Sequence, residues 1–112
     1  DELSIADDTY VAELKDGVVS TYTVNPADFG LNVGNLDDIT ANGATDSLAM
    51  INDAFAGKQG AAKDIVALNA GAAIYVSGLA DSLKTGVEKA NQILSNGGAQ
   101  RKLEEYVAAS NQ

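Results

Sequence analysis

The stretch AAKDIVALNAGAAIYV, residues 61–76, decides the fold. Its residues would be apolar on almost every side of a helix, and such a helix lies in the centre of a domain. Gly71 costs this helix about 1 kcal/mol of propensity relative to alanine, so we expect a close backbone contact there. Asn69 is the polar residue in its middle and has two interpretations. It is either a satisfied buried amide that fixes helix register or a ligand contact.

A β-hairpin is predicted upstream of this helix. The runs TYVAEL (9–14) and VVSTYTV (18–24) are rich in β-branched and aromatic residues, and Asp16-Gly17 between them is a typical two-residue turn. A two-stranded hairpin is marginally stable alone in water. We therefore expect it to lean on strands outside this chain or on the helices that follow.

Residues 25–42 predict an ordered loop with a short turn at Leu36–Ile39. From about residue 43 the apolar period becomes helical and continues to about residue 109, which predicts four helices. The first helix is expected to have Thr45 or Asp46 as its N-cap and to stop at Gly57. The third is expected to begin at Asp81 or Ser82.

Each predicted helix except the central one has an apolar stripe that we expect to face the core. The stripes are Leu48, Ile51 and Phe55 in the first helix, Leu83, Val87, Ala90 and Leu94 in the third, and Leu103, Tyr106 and Val107 in the last.

Composition limits the possible functions. The 112 residues suffice for one domain and have a formal net charge of -9, with 46% hydrophobic and 21% charged residues. This charge argues against a nucleic-acid partner and against an anionic membrane surface. The acidic start has no signal-peptide pattern, and no apolar run is long enough for a membrane span, so a cytoplasmic location is expected.

The absence of histidine and cysteine from the sequence removes the usual general base and the usual transition-metal ligands. The remaining option for a metal is a hard cation such as Mg²⁺ on oxygen ligands. Two acidic pairs are candidates, Asp1-Glu2 and Asp37-Asp38, and the second is typical of a solvated loop. The glycines match neither GxxxxGK[ST] nor GxGxxG. The residues alone therefore define no complete catalytic constellation.

Five segments carry a resemblance to a known family in their order and spacing. They are DELS at 1–4, AELKDG at 12–17, YTVNPADFGL at 22–31, LNAGAAIYVSG at 68–78 and SLKTGVEKANQILSNGGA at 82–99. In combination they resemble the C-terminal third of the anthranilate phosphoribosyltransferases. The resemblance covers nearly the whole chain, whereas any one segment alone would be a weak signal.

The resemblance implies a function. Such enzymes transfer phosphoribose from phosphoribosyl pyrophosphate to anthranilate, and they are usually dimers with a small helical domain and a larger α/β domain. The family's Asp-Glu pair binds the Mg²⁺ ions that hold the pyrophosphate, and Asp1 and Glu2 match that pair. The glycine-rich pyrophosphate loop, the catalytic base and the anthranilate-binding residues would all lie upstream, so no catalytic residue is assigned here.

The predicted fold class is therefore α/β. We expect residues 1–112 to be the C-terminal part of a nucleoside phosphorylase/phosphoribosyltransferase-type catalytic domain, inactive alone and completed by the remainder of the same polypeptide. Two alternatives remain open. One is a related transferase of this fold with another acceptor. The other is a non-catalytic acidic helical module that binds a partner through exposed apolar surface.

Overall fold

The computed structural model describes residues 2–112. Two antiparallel strands are followed by four α-helices within this range, which confirms the expected fold class. The strands are β1, Thr9–Lys15, and β2, Val18–Val24; the helices are α1, Ala44–Phe55, α2, Ala61–Val76, α3, Leu83–Ser95, and α4, Gly98–Ser110.

The hairpin has the predicted two-residue turn. Asp16 and Gly17 both have positive φ values, 52° and 77°, and a turn with two such residues matches the right-handed twist of the strands. Lys15 pairs with Val18 beside the turn, and Thr9 pairs with Val24 at the open end. The turn therefore sets the register of the whole ladder.

The connection from β2 to α1 contains two 3₁₀ turns, Pro26–Phe29 and Leu36–Ile39. Only the second was expected from the sequence. The first begins with a capping box, because Asn25 accepts from the N–H of Ala27 and the Asp28 carboxylate accepts from the N–H of Asn25. Proline at the first position of this turn provides the required φ without needing a donor.

The helix ends agree with the sequence in two places and differ in one. Ser82 caps α3 by accepting from the N–H of Thr85 at 3.1 Å, and Gly57 follows α1 with a φ of 77°, as predicted. The prediction of Thr45 or Asp46 as the N-cap of α1 is wrong. Gly43 holds that position without a side-chain bond, and Asp46 instead accepts from the N–H of Asn42.

Helices α2 and α3 form the centre of the molecule. The side of α2 that meets α3 contains Gly71, and a Cβ there would lie 2.5 Å from the Cα of Val87. The expected close backbone contact is therefore confirmed. One buried cluster combines Ile5, Leu31, Leu68 and Val87, and a second combines Ala67, Ala90 and Leu94.

Two of the predicted apolar stripes face the core only in part: Phe55 of α1 packs against the second buried cluster, but most of the other predicted residues do not. In α1, Leu48 and Ile51 are 51% and 37% exposed, and Ala54 is the buried residue. In α4, Tyr106 and Val107 are exposed, and Leu103 is only half-buried. A helical period predicts an apolar face but does not say what covers it, and in the described chain these faces lie against solvent.

The hairpin also leaves much apolar surface uncovered. Tyr10, Leu14, Val18 and Val19 are exposed. The radius of gyration is 14.9 Å, above the roughly 13 Å expected for a compact domain of this length. Neither buried cluster contains a described residue of the hairpin.

Candidate functional site

Glu2, one of the two predicted metal ligands, lies at the start of a short irregular segment that precedes β1. Asp1 lies outside the described residues. Glu2 is exposed to solvent and has no regular secondary structure. Its side chain is therefore open to an ion and to phosphate oxygens, provided that the backbone beside it is held in place.

Helix α2 holds that backbone through Asn69. The N–H of Leu3 donates to Asn69 Oδ1 at 2.9 Å, and Asn69 Nδ2 donates to the carbonyl of Leu3 at 2.9 Å. The same Nδ2 also donates to the carbonyl of Ile65 at 3.0 Å, one turn earlier in α2. The amide is satisfied, as one interpretation of the sequence expected. Its partner, however, is the N-terminal segment rather than a neighbouring helix.

Ile5 anchors the same segment in the core. Its side chain is fully buried and packs with Leu31, Leu68 and Val87. Its carbonyl accepts from the N–H of Gly34 at 2.8 Å, and a Cβ at Gly34 would lie 2.8 Å from Ile5 Cδ1. The loop after the first 3₁₀ turn therefore closes over Ile5, and the segment is held between this loop and α2.

The donor chemistry at Glu2 fits Mg²⁺ as one part of a site. Mg²⁺ is usually held by one or two protein carboxylates, with waters and substrate phosphates as its other ligands. Among residues 2–112, no group of three or more acidic side chains converges to hold a metal ion. Glu2 would therefore supply one carboxylate to such an ion, and the described residues form no complete metal cage.

The second acidic pair is not brought together with other ligands. Asp37 and Asp38 lie exposed in the 3₁₀ turn Leu36–Ile39. The N–H of Asp37 donates to the side chain of Asn35 at 2.9 Å. Asn35 caps this turn, and the carboxylates of Asp37 and Asp38 lie exposed to solvent, which is the structural interpretation that the sequence favoured.

A cluster of polar side chains that sequence analysis missed joins the hairpin to α2. The Glu13 carboxylate accepts a hydrogen bond from the hydroxyl of Tyr22 at 2.7 Å and another from the hydroxyl of Tyr75. Lys15 Nζ lies 5.6 Å from the centroid of the Tyr75 ring, within the range of a cation–π contact. One carboxylate thus links two strands and a helix.

The cluster changes the acidity of its members. The hydroxyls of Tyr75 and Tyr22 hold the pKa of Glu13 below its usual value. Burial, together with the hydrogen bond to Glu13, raises the pKa of Tyr22 to about 12. The hydrogen bond to Glu13 also raises the pKa of Tyr75. Glu13 is therefore ionised, and both phenols are protonated, at neutral pH.

Part of this cluster had a signal in the sequence. The two-residue turn sets Glu13 opposite Ser20 and Val11 opposite Tyr22, so Glu13 and Tyr22 are diagonal neighbours on one face of the hairpin. The contact with Tyr75 had no local signal, because the two residues are 62 positions apart.

Comparison with known proteins identifies the protein family of this chain. A family model described as "Glycosyl transferase family, a/b domain" matches residues 1–100, and the chain belongs to this family.

No helix in the described range has both the length and the apolar character needed to cross a membrane.

The relatives make the resemblance more specific. The chain is 62% identical over 110 residues to the anthranilate phosphoribosyltransferase of Ruthia magnifica and 60% identical to that of Vesicomyosocius okutanii. Each match covers 98% of this chain and 32% of the relative. The chain thus spans about a third of the length of these relatives.

A solved structure agrees. The crystal structure of anthranilate phosphoribosyltransferase from Thermus thermophilus superimposes with a TM-score of 0.73 at 35% identity, covering 79% of this chain and 27% of that one. The resemblance deduced from the five sequence segments is confirmed.

Proposed function

We propose that this chain is the part of an anthranilate phosphoribosyltransferase that supplies the acidic ligands of its pyrophosphate-binding metal site. The intact enzyme would transfer phosphoribose from phosphoribosyl pyrophosphate to anthranilate and release pyrophosphate. The observation that carries the proposal is the 62% identity over 98% of the chain to a protein of that name.

The site residues have distinct parts in this proposal. Asp1 and Glu2 would hold Mg²⁺, with Glu2 placed at the exposed end of a segment that Leu3 and Ile5 anchor. Bound Mg²⁺ would neutralise the negative charge that develops on the departing pyrophosphate. The chain's own contribution is to hold the Glu2 backbone still, because a carboxylate on a fixed backbone needs little reorganisation to meet its ion.

The exposed apolar faces support the need for further polypeptide. Leu14, Val18 and Val19 of the hairpin and Leu48 of α1 are more than half exposed. The remainder of the same polypeptide is the partner that we propose for these faces. A homodimer of the intact enzyme and a cytoplasmic location also belong to the proposal.

A chimaeric enzyme tests the proposal directly. This chain replaces the matching segment of the Ruthia magnifica relative, and the product is assayed for phosphoribosylanthranilate with phosphoribosyl pyrophosphate, anthranilate and Mg²⁺. We expect turnover comparable to that of the unmodified relative, and no turnover by the 112-residue chain alone.

The alternatives predict different outcomes. A folded chimaera that turns over another acceptor but not anthranilate would support a related transferase. A folded chimaera with no transferase activity, beside an active unmodified relative, would overturn the proposal and favour the non-catalytic module. Light scattering of the active chimaera reports whether the intact enzyme is a dimer.

A further inference from the structure

We propose that Asn69 is a positioning residue for the metal-binding acidic pair, acting through the backbone of Leu3 on the carboxylate of Glu2. This inference rests on the proposed function, because it concerns the same site. It assigns a role to a residue of α2 that does not touch the ion itself.

The geometry uses every hydrogen-bonding group of the Asn69 side chain. Its oxygen accepts from the N–H of Leu3, and its nitrogen donates to the carbonyls of Leu3 and Ile65, all at 2.9–3.0 Å. A carboxamide offers one acceptor oxygen and two N–H donors, so both donors are committed. The bond to Ile65 holds the side chain against its own helix, and the two bonds to Leu3 hold the segment against the side chain.

Covalent geometry transmits this restraint to Glu2. The N–H of Leu3 belongs to the planar peptide unit that also contains the Cα and the carbonyl of Glu2. A hydrogen bond that directs this N–H toward Asn69 therefore orients the plane from which the Glu2 side chain begins. The paired bond to the Leu3 carbonyl restrains the next peptide unit, so rotation at Leu3 is opposed from both sides.

Other contacts also hold the segment from Leu3 onward, where the Leu3 side chain packs against the first buried cluster. Ile5 is buried and accepts from the N–H of Gly34 at 2.8 Å, and the N–H of Ser4 donates to Thr9 Oγ1 at 3.0 Å. These contacts keep the segment on the protein when Asn69 is changed. Loss of the Asn69 bonds should therefore loosen Glu2 while the fold remains.

The test uses Asn69→Asp and Asn69→Ala in the chimaeric enzyme. Aspartate has the shape of asparagine but cannot donate to the two carbonyls when ionised, and alanine removes the side chain. Mn²⁺ serves as the probe ion, and its binding is followed by electron paramagnetic resonance in the presence of phosphoribosyl pyrophosphate. We expect both variants to weaken Mn²⁺ binding by about 10-fold, the lower end of the range for partners that orient metal ligands. The KM for anthranilate should change little.

Two control variants separate the possible outcomes. Leu94→Val loosens the second buried cluster without touching Leu3, and it should leave the Mn²⁺ spectrum and affinity unchanged. Glu2→Gln tests the proposed metal site itself. If Glu2→Gln binds Mn²⁺ normally, the metal role of Glu2 in the proposed function is wrong. If Glu2→Gln binds weakly while both Asn69 variants bind normally, the positioning role is wrong.

A measurement on the unmodified chimaera keeps the proposal testable even if the Asn69 variants do not fold. Mn²⁺ and phosphoribosyl pyrophosphate are added, and amide hydrogen exchange is measured at Leu3 and at Ile5. Binding at Glu2 should slow exchange at Leu3, because the bound ion favours the anchored conformation. Unchanged exchange at Leu3 in an enzyme that binds the ion would overturn the proposal.

Discussion

Gly71 of α2 and Gly86 of α3 bring their two backbones into direct contact. A Cβ on Gly86 would overlap the carbonyl oxygen of Gly71, and a Cβ on Gly71 would lie 2.5–2.6 Å from atoms of Val87. The two helices therefore meet through main-chain atoms, with no room for a methyl group on either side. This contact sets the position of α2, and α2 carries the contacts to both the N-terminal segment and the hairpin.

Alanine at either glycine should destabilise the chain. Overpacking of this kind costs about 1–3 kcal/mol, and the better helix propensity of alanine returns up to about 1 kcal/mol. We expect Gly71→Ala and Gly86→Ala each to lower the free energy of unfolding, measured by urea denaturation with circular dichroism. Ala73→Leu, at an exposed position of α2, is the control and should stay within about 0.5 kcal/mol of the parent. Equal stability of all three variants would contradict the close contact.

Truncation of Ile5 tests the anchor beside the proposed metal site. The side chain is fully buried, so Ile5→Val should cost about 0.5–1.5 kcal/mol and Ile5→Ala about 2–5 kcal/mol of unfolding free energy. Val33→Ala, at an exposed apolar position in the adjoining loop, should have almost no effect. Urea denaturation of the three variants measures these changes in unfolding free energy. If Ile5→Ala unfolds at the same urea concentration as the parent, the segment is not part of the core.

The Glu13 cluster should make hairpin docking depend on pH in both directions. The pKa of Glu13 is lowered from a reference of 4.5, so its contribution is present above pH 4.5 and is lost as the pH falls through the lower folded value. The pKa of Tyr22 is raised from 10.0 to about 12, so its contribution is complete below pH 10 and is lost as the pH rises toward 12. Hydrogen exchange of the β1 and β2 amides across this range should show the strongest protection between the two limits.

Glu13→Gln should remove the loss of hydrogen-exchange protection at low pH, and it should lower the pKa of Tyr22. The decrease should be partial, because burial is the largest cause of the raised value and remains in the variant. Phenolate absorbance identifies the titration of Tyr22 when the curve of Tyr22→Phe is subtracted. An unchanged Tyr22 titration in Glu13→Gln would show that the two side chains do not interact in solution.

Glu2→Gln should cripple Mg²⁺-dependent turnover of the chimaeric enzyme without unfolding it. The amide keeps the size of the side chain but removes the negative charge that a hard cation requires. Asp1→Asn is expected to behave in the same way, by the family resemblance. Turnover is measured over a range of Mg²⁺ concentrations, with Asp38→Asn in the exposed turn as the control. Near-normal activity in either variant would refute the metal role of that residue.

The sequence by itself determined the two strands, the four helices and several of their ends. The Asp16-Gly17 turn, the glycine after α1 and the Ser82 cap depend on interactions within a few residues, so local chemistry was enough to predict them. The order and spacing of five short segments also determined the family. The first 3₁₀ turn was not predicted, although its capping residues Asn25 and Asp28 lie only three positions apart in the sequence.

Only the tertiary structure decided which side chains meet. Asn69 bonds to Leu3 across 66 positions, and Tyr75 bonds to Glu13 across 62. The helical period predicted that Leu48, Ile51 and Tyr106 face the core, and this prediction is wrong, because all three are exposed. The physical reason is that a periodic pattern reports the chemistry of a surface, whereas burial depends on which distant surface packs against it.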